Sequence, residues 1–213
     1  MLDATARRVL ERPLSELARL VDRPCVSPNR LTLLGLATGL ASAATAAGQL
    51  WWWALGLWWF SRAMDGLDGP LARRRRAAAH GNTETSHGSE AGGFLDITAD
   101  FVVYGATVVG VAIGATSQYD ADWLPFLLVL LAYYLNGTAF LAFSSVAERT
   151  GRQREDGRSL SFLGGLAEGT ETIVVHSVWL VVPAHAGVVA TVWAAVVGVS
   201  AAQRIVAGFR DLS

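Results

Sequence analysis

Apolar residues run along this chain in six long stretches separated by polar ones, roughly 31–48, 50–72, 93–115, 124–147, 168–183 and 185–206. A helix needs ~20 mostly apolar residues to cross the hydrocarbon layer of a bilayer. The pattern therefore predicts six transmembrane helices, the fifth short and with an uncertain start. Ahead of them Leu10, Leu14, Leu17 and Val21 recur at helical spacing among Arg7, Arg8, Arg12, Glu16 and Arg19. That arrangement predicts an amphipathic juxtamembrane helix lying on a leaflet, its arginines near anionic head groups. The expected fold is thus an all-α integral membrane protein forming a single domain over 1–213. It comprises an interfacial helix and linker (1–30), a six-helix bundle (31–206) and a short tail (207–213). The N-terminus is charged up to Arg30 and does not read as a cleaved signal peptide.

Composition agrees with this pattern: 52% of the 213 residues are hydrophobic, and the mean hydropathy is +0.37. A net charge of -1 gives no basic surplus that would suggest a nucleic-acid partner. The placement of charge is more informative. All seventeen basic residues are arginine, and all except Arg62 fall in the N-terminal segment, the 73–92 and 148–167 loops, or the C-terminal end. The positive-inside rule then puts both termini and both long loops in the cytoplasm, the protein sitting in the cytoplasmic (inner) membrane. Trp51, Trp52, Trp53 and Trp123 fall at the opposite interface, as an aromatic belt would. The single cysteine, Cys25, excludes an intramolecular disulfide, and no Cys/His spacing suggests zinc.

Four acids interrupt this apolar pattern. Asp65 and Asp68 are spaced i, i+3 near the end of the second stretch; Asp96 and Asp100 are spaced i, i+4 at the start of the third. Each pair projects from one helix face. The second span runs inward and the third outward, so both pairs come to similar depth near the cytoplasmic face. Even one unpaired charge in the bilayer costs ~2.5–3.5 kcal/mol on insertion scales. Four carboxylates gathered there call for cations, and hard oxygen donors suit Mg²⁺, Mn²⁺ or Ca²⁺. Two such ions could hold a diphosphate and stabilise both attacking and leaving oxygens of phosphoryl transfer. Helix-end acids in water, or in salt bridges with Arg62 and Arg73, are the plainer alternative. Gly69 and Ala72 beside Asp68, and Gly92 one turn before Asp96, leave the helix surfaces low enough for a base or phosphate to approach the backbone.

The ordered set Asp65-x-x-Asp68-Gly69-x-x-Ala72-Arg73 followed by Gly92-x-x-x-Asp96-x-x-x-Asp100 resembles the signature of the CDP-alcohol phosphotransferase family, membrane enzymes of phospholipid synthesis. The stretch "SPNRLTLLGL" (27–36) resembles the one that often opens the first span of such proteins. The resemblance implies a fold of six spans behind a surface helix, two Mg²⁺ or Mn²⁺ ions per subunit and a homodimer. It implies Asp65, Asp68 and Asp96 as metal ligands, and Asp100 as a further ligand or the catalytic base. Nucleotide contacts would come from Asp65, Asp68, Gly69, Ala72, Arg73, Gly92, Asn29 and Thr32. The implied reaction transfers a phosphatidyl-type group from a CDP-linked lipid, such as CDP-diacylglycerol, to the hydroxyl of a small polar alcohol, phosphorylated or not, releasing CMP. One departure is plain: the segment between Arg73 and Gly92 is longer than the family's, and its extra residues read as an extended polar loop over 74–91. His80, Glu84 and His87 in it read as solvated loop residues.

Acceptor contacts are less sharply marked. Arg149, Arg152, Arg154, Arg158 and Arg204 would lie on the same side as the aspartates, and arginine grips phosphate bidentately. Glu168 and Glu171 stand at the start of the fifth span, where they could meet acceptor hydroxyls or simply favour a helix N-terminus. His176 inside that span reads as a helix-packing residue. Three other functions compete with lipid synthesis from a CDP-lipid: transfer from CDP-choline onto a lipid alcohol, divalent-cation transport through intramembrane aspartates, and a structural membrane protein whose acids pair helices.

Overall fold

The structure, a computed structural model, describes residues 2–23, 26–78, 84–150 and 168–212. Cys25, His80, Arg152, Arg154 and Arg158 lie outside the described residues, as do the side chains of Glu84 and His87. The described residues are helical nearly throughout: α1 (Leu2–Val21), α2 (Pro28–Ala47), α3 (Trp51–Ala78), α4 (Glu84–Tyr119), α5 (Leu124–Arg149), α6 (Gly169–Val181) and α7 (Ala186–Leu212). Among them α2, α4 from Glu90, α5, and Pro183–Leu212 (α7 with its preceding 3-10 turn) are each long and apolar enough to cross a membrane. The two remaining expected spans differ for separate reasons. Helix α3 has 28 residues, but Arg62, Asp65, Asp68 and a terminal run of arginines dilute its apolar character. Helix α6 has 13 residues, a length of about 20 Å against the ~30 Å hydrocarbon layer.

The polar stretch expected as an extended loop is largely helical. Helix α3 continues to Ala78 and α4 starts at Glu84. Alanine and arginine are strong helix formers, so "ARRRRAA" propagates the helix that the membrane segment starts.

The chain forms two compact units, dividing near Gly114 within α4. In the N-terminal unit, Ser27 caps α2 by accepting a bond from the Arg30 amide, with Pro28 pre-set for the first turn. Helix α2 owes its close packing to small residues. Ser61 Oγ donates to the Gly35 carbonyl at 2.7 Å and Ser42 Oγ to that of Ala54 at 2.7 Å, tying α2 to α3. A Cβ at Gly110 would strike the Ala43 carbonyl, and one at Gly114 that of Ala46, so α4 approaches α2 backbone to backbone. Such contacts replace the hydrophobic driving force that lipid removes. Helix α1 seats Ala18 with Leu31, Leu67 and Leu71, flanked by Leu14, Val21, Val26 and Met64. After it, Asp22 accepts from Arg74 Nε at 2.9 Å and from Arg75 Nε at 3.0 Å, clamping the linker to the C-terminal end of α3. Hydrogen bonds from Arg75 and then Arg74 hold the Asp22 carboxyl below the usual carboxylate range.

In the C-terminal unit, a buried polar knot joins α5, α6 and α7. Trp193 Nε1 donates to the Tyr133 hydroxyl at 2.7 Å, and that hydroxyl is 2.9 Å from His176 Nε2. His176 is fully buried, with its ring centroid 4.8 Å from that of Trp179. This agrees with the packing role expected for it. Tyr133→Phe keeps the ring but removes the hydroxyl that joins the Trp193 and His176 nitrogens, a loss of ~1–3 kcal/mol in a soluble core and less between membrane helices. The expected result is a thermal unfolding midpoint several degrees lower in detergent; an unchanged midpoint would show that the knot contributes nothing to holding α6.

Candidate metal centre

The spacing that placed two acids on each helix face also sets their meeting. Asp65 and Asp68 project from α3, Asp96 and Asp100 from α4, and one carboxylate oxygen from each of Asp65, Asp68 and Asp96 lies within 4.8 Å of the others. Asp68 is buried while Asp65 and Asp96 are half-buried. Thr32 on α2 donates its hydroxyl to Asp68 Oδ2 at 2.6 Å, fixing that carboxylate from a third helix. Three partly desolvated carboxylates at this separation repel one another unless a cation lies between them. The donor set is all oxygen and anionic, which fits a hard divalent ion and leaves coordination positions for phosphate oxygens or water.

Asp100 is paired with a buried arginine beside this group. Its Oδ1 accepts from Arg62 NH1 at 2.6 Å, and the same nitrogen is 3.7 Å from Asp65 Oδ2. Arg62 is itself buried, with its guanidinium carbon 5.1 Å from the Trp58 ring centroid and 5.1 Å from that of Tyr104. Its NH2 donates to Ser61 Oγ at 3.1 Å.

The remaining motif residues surround the carboxylates. A Cβ on Gly92 would come within 3.2 Å of Asn29 Oδ1, and one on Gly69 within 3.4 Å of Arg73 NH1. The absence of side chains there keeps α4 and α3 open beside Asp96 and Asp68. Ala72 is half-buried and Arg73 exposed, one turn beyond Asp68. Arg149, Glu168, Glu171 and Arg204 belong to the C-terminal unit. There Arg204 is buried over the Phe140 ring at 5.8 Å and senses the charge of Glu168, while Arg149 is exposed and Glu171 opens α6.

The sequence profile of the CDP-alcohol phosphatidyltransferase family matches residues 25–206. The chain belongs to that family. It is 33% identical over 218 aligned positions to inner membrane protein YnjF of Escherichia coli (strain K12), covering 100% of this chain and 97% of the relative. Two solved structures of Mycobacterium tuberculosis phosphatidylinositol phosphate synthase (PgsA1) share its fold. The one with CDP-DAG bound superposes with a TM-score of 0.69 at 23% identity, covering 93% of this chain and 94% of that one. The other, in complex with manganese and citrate, gives 0.67 at 21% identity, covering 92% and 88%. This CDP-alcohol phosphatidyltransferase is therefore an integral membrane protein of the lipid-headgroup-transfer type.

Within the family signature, sequence reasoning left Arg62 as a mere alternative partner for the acids and passed over Trp58 and Tyr104. A signal was present: Trp58 and Arg62 are spaced i, i+4 on one helix, as are Asp100 and Tyr104 on another. Only the packing of α3 on α4 shows that these two pairs enclose one guanidinium.

Proposed function

We propose that this protein transfers the phosphatidyl-type group of a CDP-linked lipid to the hydroxyl of a small polar alcohol and releases CMP. The observation that carries this reading is the gathering of Asp65, Asp68 and Asp96, one oxygen of each within 4.8 Å of the others, with Asp100 paired to Arg62 beside them. Binding and proton removal are different tasks, and the two environments suit them. Asp65, Asp68 and Asp96 would hold one or two Mg²⁺ or Mn²⁺ ions. When bound, these supply positive charge to the diphosphate and to the leaving CMP. Thr32 keeps the Asp68 carboxylate oriented, and Gly69, Ala72, Arg73, Gly92 and Asn29 border the space left for the nucleotide. Asp100 accepts the proton of the acceptor hydroxyl as its oxygen bonds to the β-phosphorus of the CDP-lipid and the bond to CMP breaks.

Arg204 and Glu168, with Arg149, Arg158 and Glu171, are the proposed acceptor contacts, which favours an acceptor carrying phosphate. A homodimer in the cytoplasmic membrane completes this reading, with α3 also spanning and with termini and metal site on the cytoplasmic side. The distribution of arginines supports that orientation.

The test is CMP release by the purified protein in lipid–detergent micelles with CDP-diacylglycerol and Mg²⁺ or Mn²⁺. Glycerol 3-phosphate, inositol phosphate, inositol and serine are added one at a time. Release that needs both metal and one acceptor is expected and names the substrate. Release only from CDP-choline with diacylglycerol would reverse donor and acceptor. No release from any combination would overturn the proposed pair of substrates.

A further inference from the structure

Among the described residues of the N-terminal unit, Arg62 is the arginine set within the apolar length of α3, and several groups around it hold it in place. Ser61 Oγ, which itself donates to the Gly35 carbonyl, accepts from NH2; the Tyr104 hydroxyl accepts from NH1 at 3.4 Å; the Trp58 and Tyr104 rings flank the guanidinium. An arginine side chain ordinarily gives up about 2 kcal/mol of rotamer freedom when it is pinned. Here the two rings and Ser61 hold it in addition to Asp100. A guanidinium is also never deprotonated in a protein, so its charge is constant through a catalytic cycle. One nitrogen of this fixed cation holds Asp100 Oδ1 at 2.6 Å, whereas Asp65 lies at 3.7 Å. The preference is geometric: Asp100 is the closer partner of Arg62, and its second oxygen is left to meet an acceptor hydroxyl.

We propose that Arg62 is a positioning residue for transfer: held by Trp58, Tyr104 and Ser61, it fixes the orientation of the Asp100 carboxylate toward the acceptor. The inference rests on the reading of Asp100 as proton acceptor and adds what makes that carboxylate differ from the other three. Arg62 acts through Asp100 and touches no substrate. Misplacing a reacting group by about 1 Å can cost ~100-fold in rate, which sets the scale of the expected effect.

Arg62→Gln, Arg62→Lys, Asp100→Asn and the double variant Arg62→Gln/Asp100→Asn are compared by steady-state CMP release and by Mn²⁺ titration followed by electron paramagnetic resonance. Arg62→Gln is expected to lower kcat by about 10- to 100-fold, with KM for the CDP-lipid and the Mn²⁺ affinity kept within about threefold. Arg62→Lys should recover part of the loss, since it restores charge without the planar fork. The decisive comparison is the double variant, which should be no slower than Asp100→Asn alone. Two residues acting through one step do not add. A further fall in the double variant, or full kcat in Arg62→Gln while Asp100→Asn is dead, would overturn the positioning role and leave the base assignment standing. Full turnover in Asp100→Asn would instead remove the base assignment, and the inference with it. If the Gln variant does not fold, the Lys variant alone and combined with Asp100→Asn carries the same comparison.

Discussion

Asp68→Asn is expected to abolish metal-dependent CMP release while leaving the metal-free protein at least as stable as the parent. Asp68 is the buried member of the three-carboxylate group and the one that Thr32 fixes at 2.6 Å. An asparagine of the same size keeps the bond from Thr32 to its amide oxygen, which turns the amide hydrogens toward the place of the cation. The substitution removes a negative ligand and replaces it with a donor that repels positive charge. Changing only a group behind a metal ligand costs 10- to 100-fold in affinity as a rule, so losing a ligand should cost roughly 100-fold or more in Mn²⁺ binding. Turnover should fall about a thousandfold, because metal stabilisation supplies several kcal/mol and each ~1.36 kcal/mol is tenfold in rate.

Stability separates this outcome from simple damage. Without a cation the three acids repel, so removing one charge relieves the folded state rather than burdening it. Adding Mn²⁺ should then raise the unfolding midpoint of the parent and leave that of the variant nearly unmoved, since only a species that binds the native state stabilises it. A variant that unfolds early in the absence of metal would mean that Asp68 serves the helix contact and not an ion.

The parts of this site that lie along one helix were legible in the sequence, and those that need two helices were not. The i, i+3 and i, i+4 intervals of the aspartates are helical periodicity, and the meeting of Asp65, Asp68 and Asp96 follows once α3 and α4 are antiparallel neighbours. The enclosure of Arg62 depends on how far α3 slides and turns against α4, which no interval in the chain encodes. Helix boundaries failed for a different reason. "ARRRRAA" reads as a loop by charge and as a helix by propensity, and the local backbone preference prevailed because arginines at the end of α3 can reach Asp22 instead of crowding one another. Helix α6 reads as a span by hydropathy, yet its 13 residues fall short of one: Glu168 precedes its first turn in extended backbone, and a 3-10 turn from Pro183 follows it.

Asp100→Asn provides the sharpest separation between holding the donor and carrying out transfer. The variant keeps the three-carboxylate group whole, so Mn²⁺ affinity and CDP-lipid binding should remain within a few-fold of the parent. Arg62 keeps Ser61, the Tyr104 ring and Asp65 at 3.7 Å, which limits the cost of losing its closest partner. An amide cannot accept the acceptor proton, and a positioned general base contributes typically 10²- to 10⁴-fold, so kcat should fall by about that range. The pair of measurements decides between two roles for one carboxylate. Turnover lost with metal and donor binding retained assigns Asp100 to proton removal. If Mn²⁺ affinity falls together with turnover, Asp100 is a fourth metal ligand in the working enzyme, and the carboxylate must leave Arg62 when ions bind. In that case the 2.6 Å pair belongs to the metal-free state, where Arg62 supplies positive charge that the ions bring later.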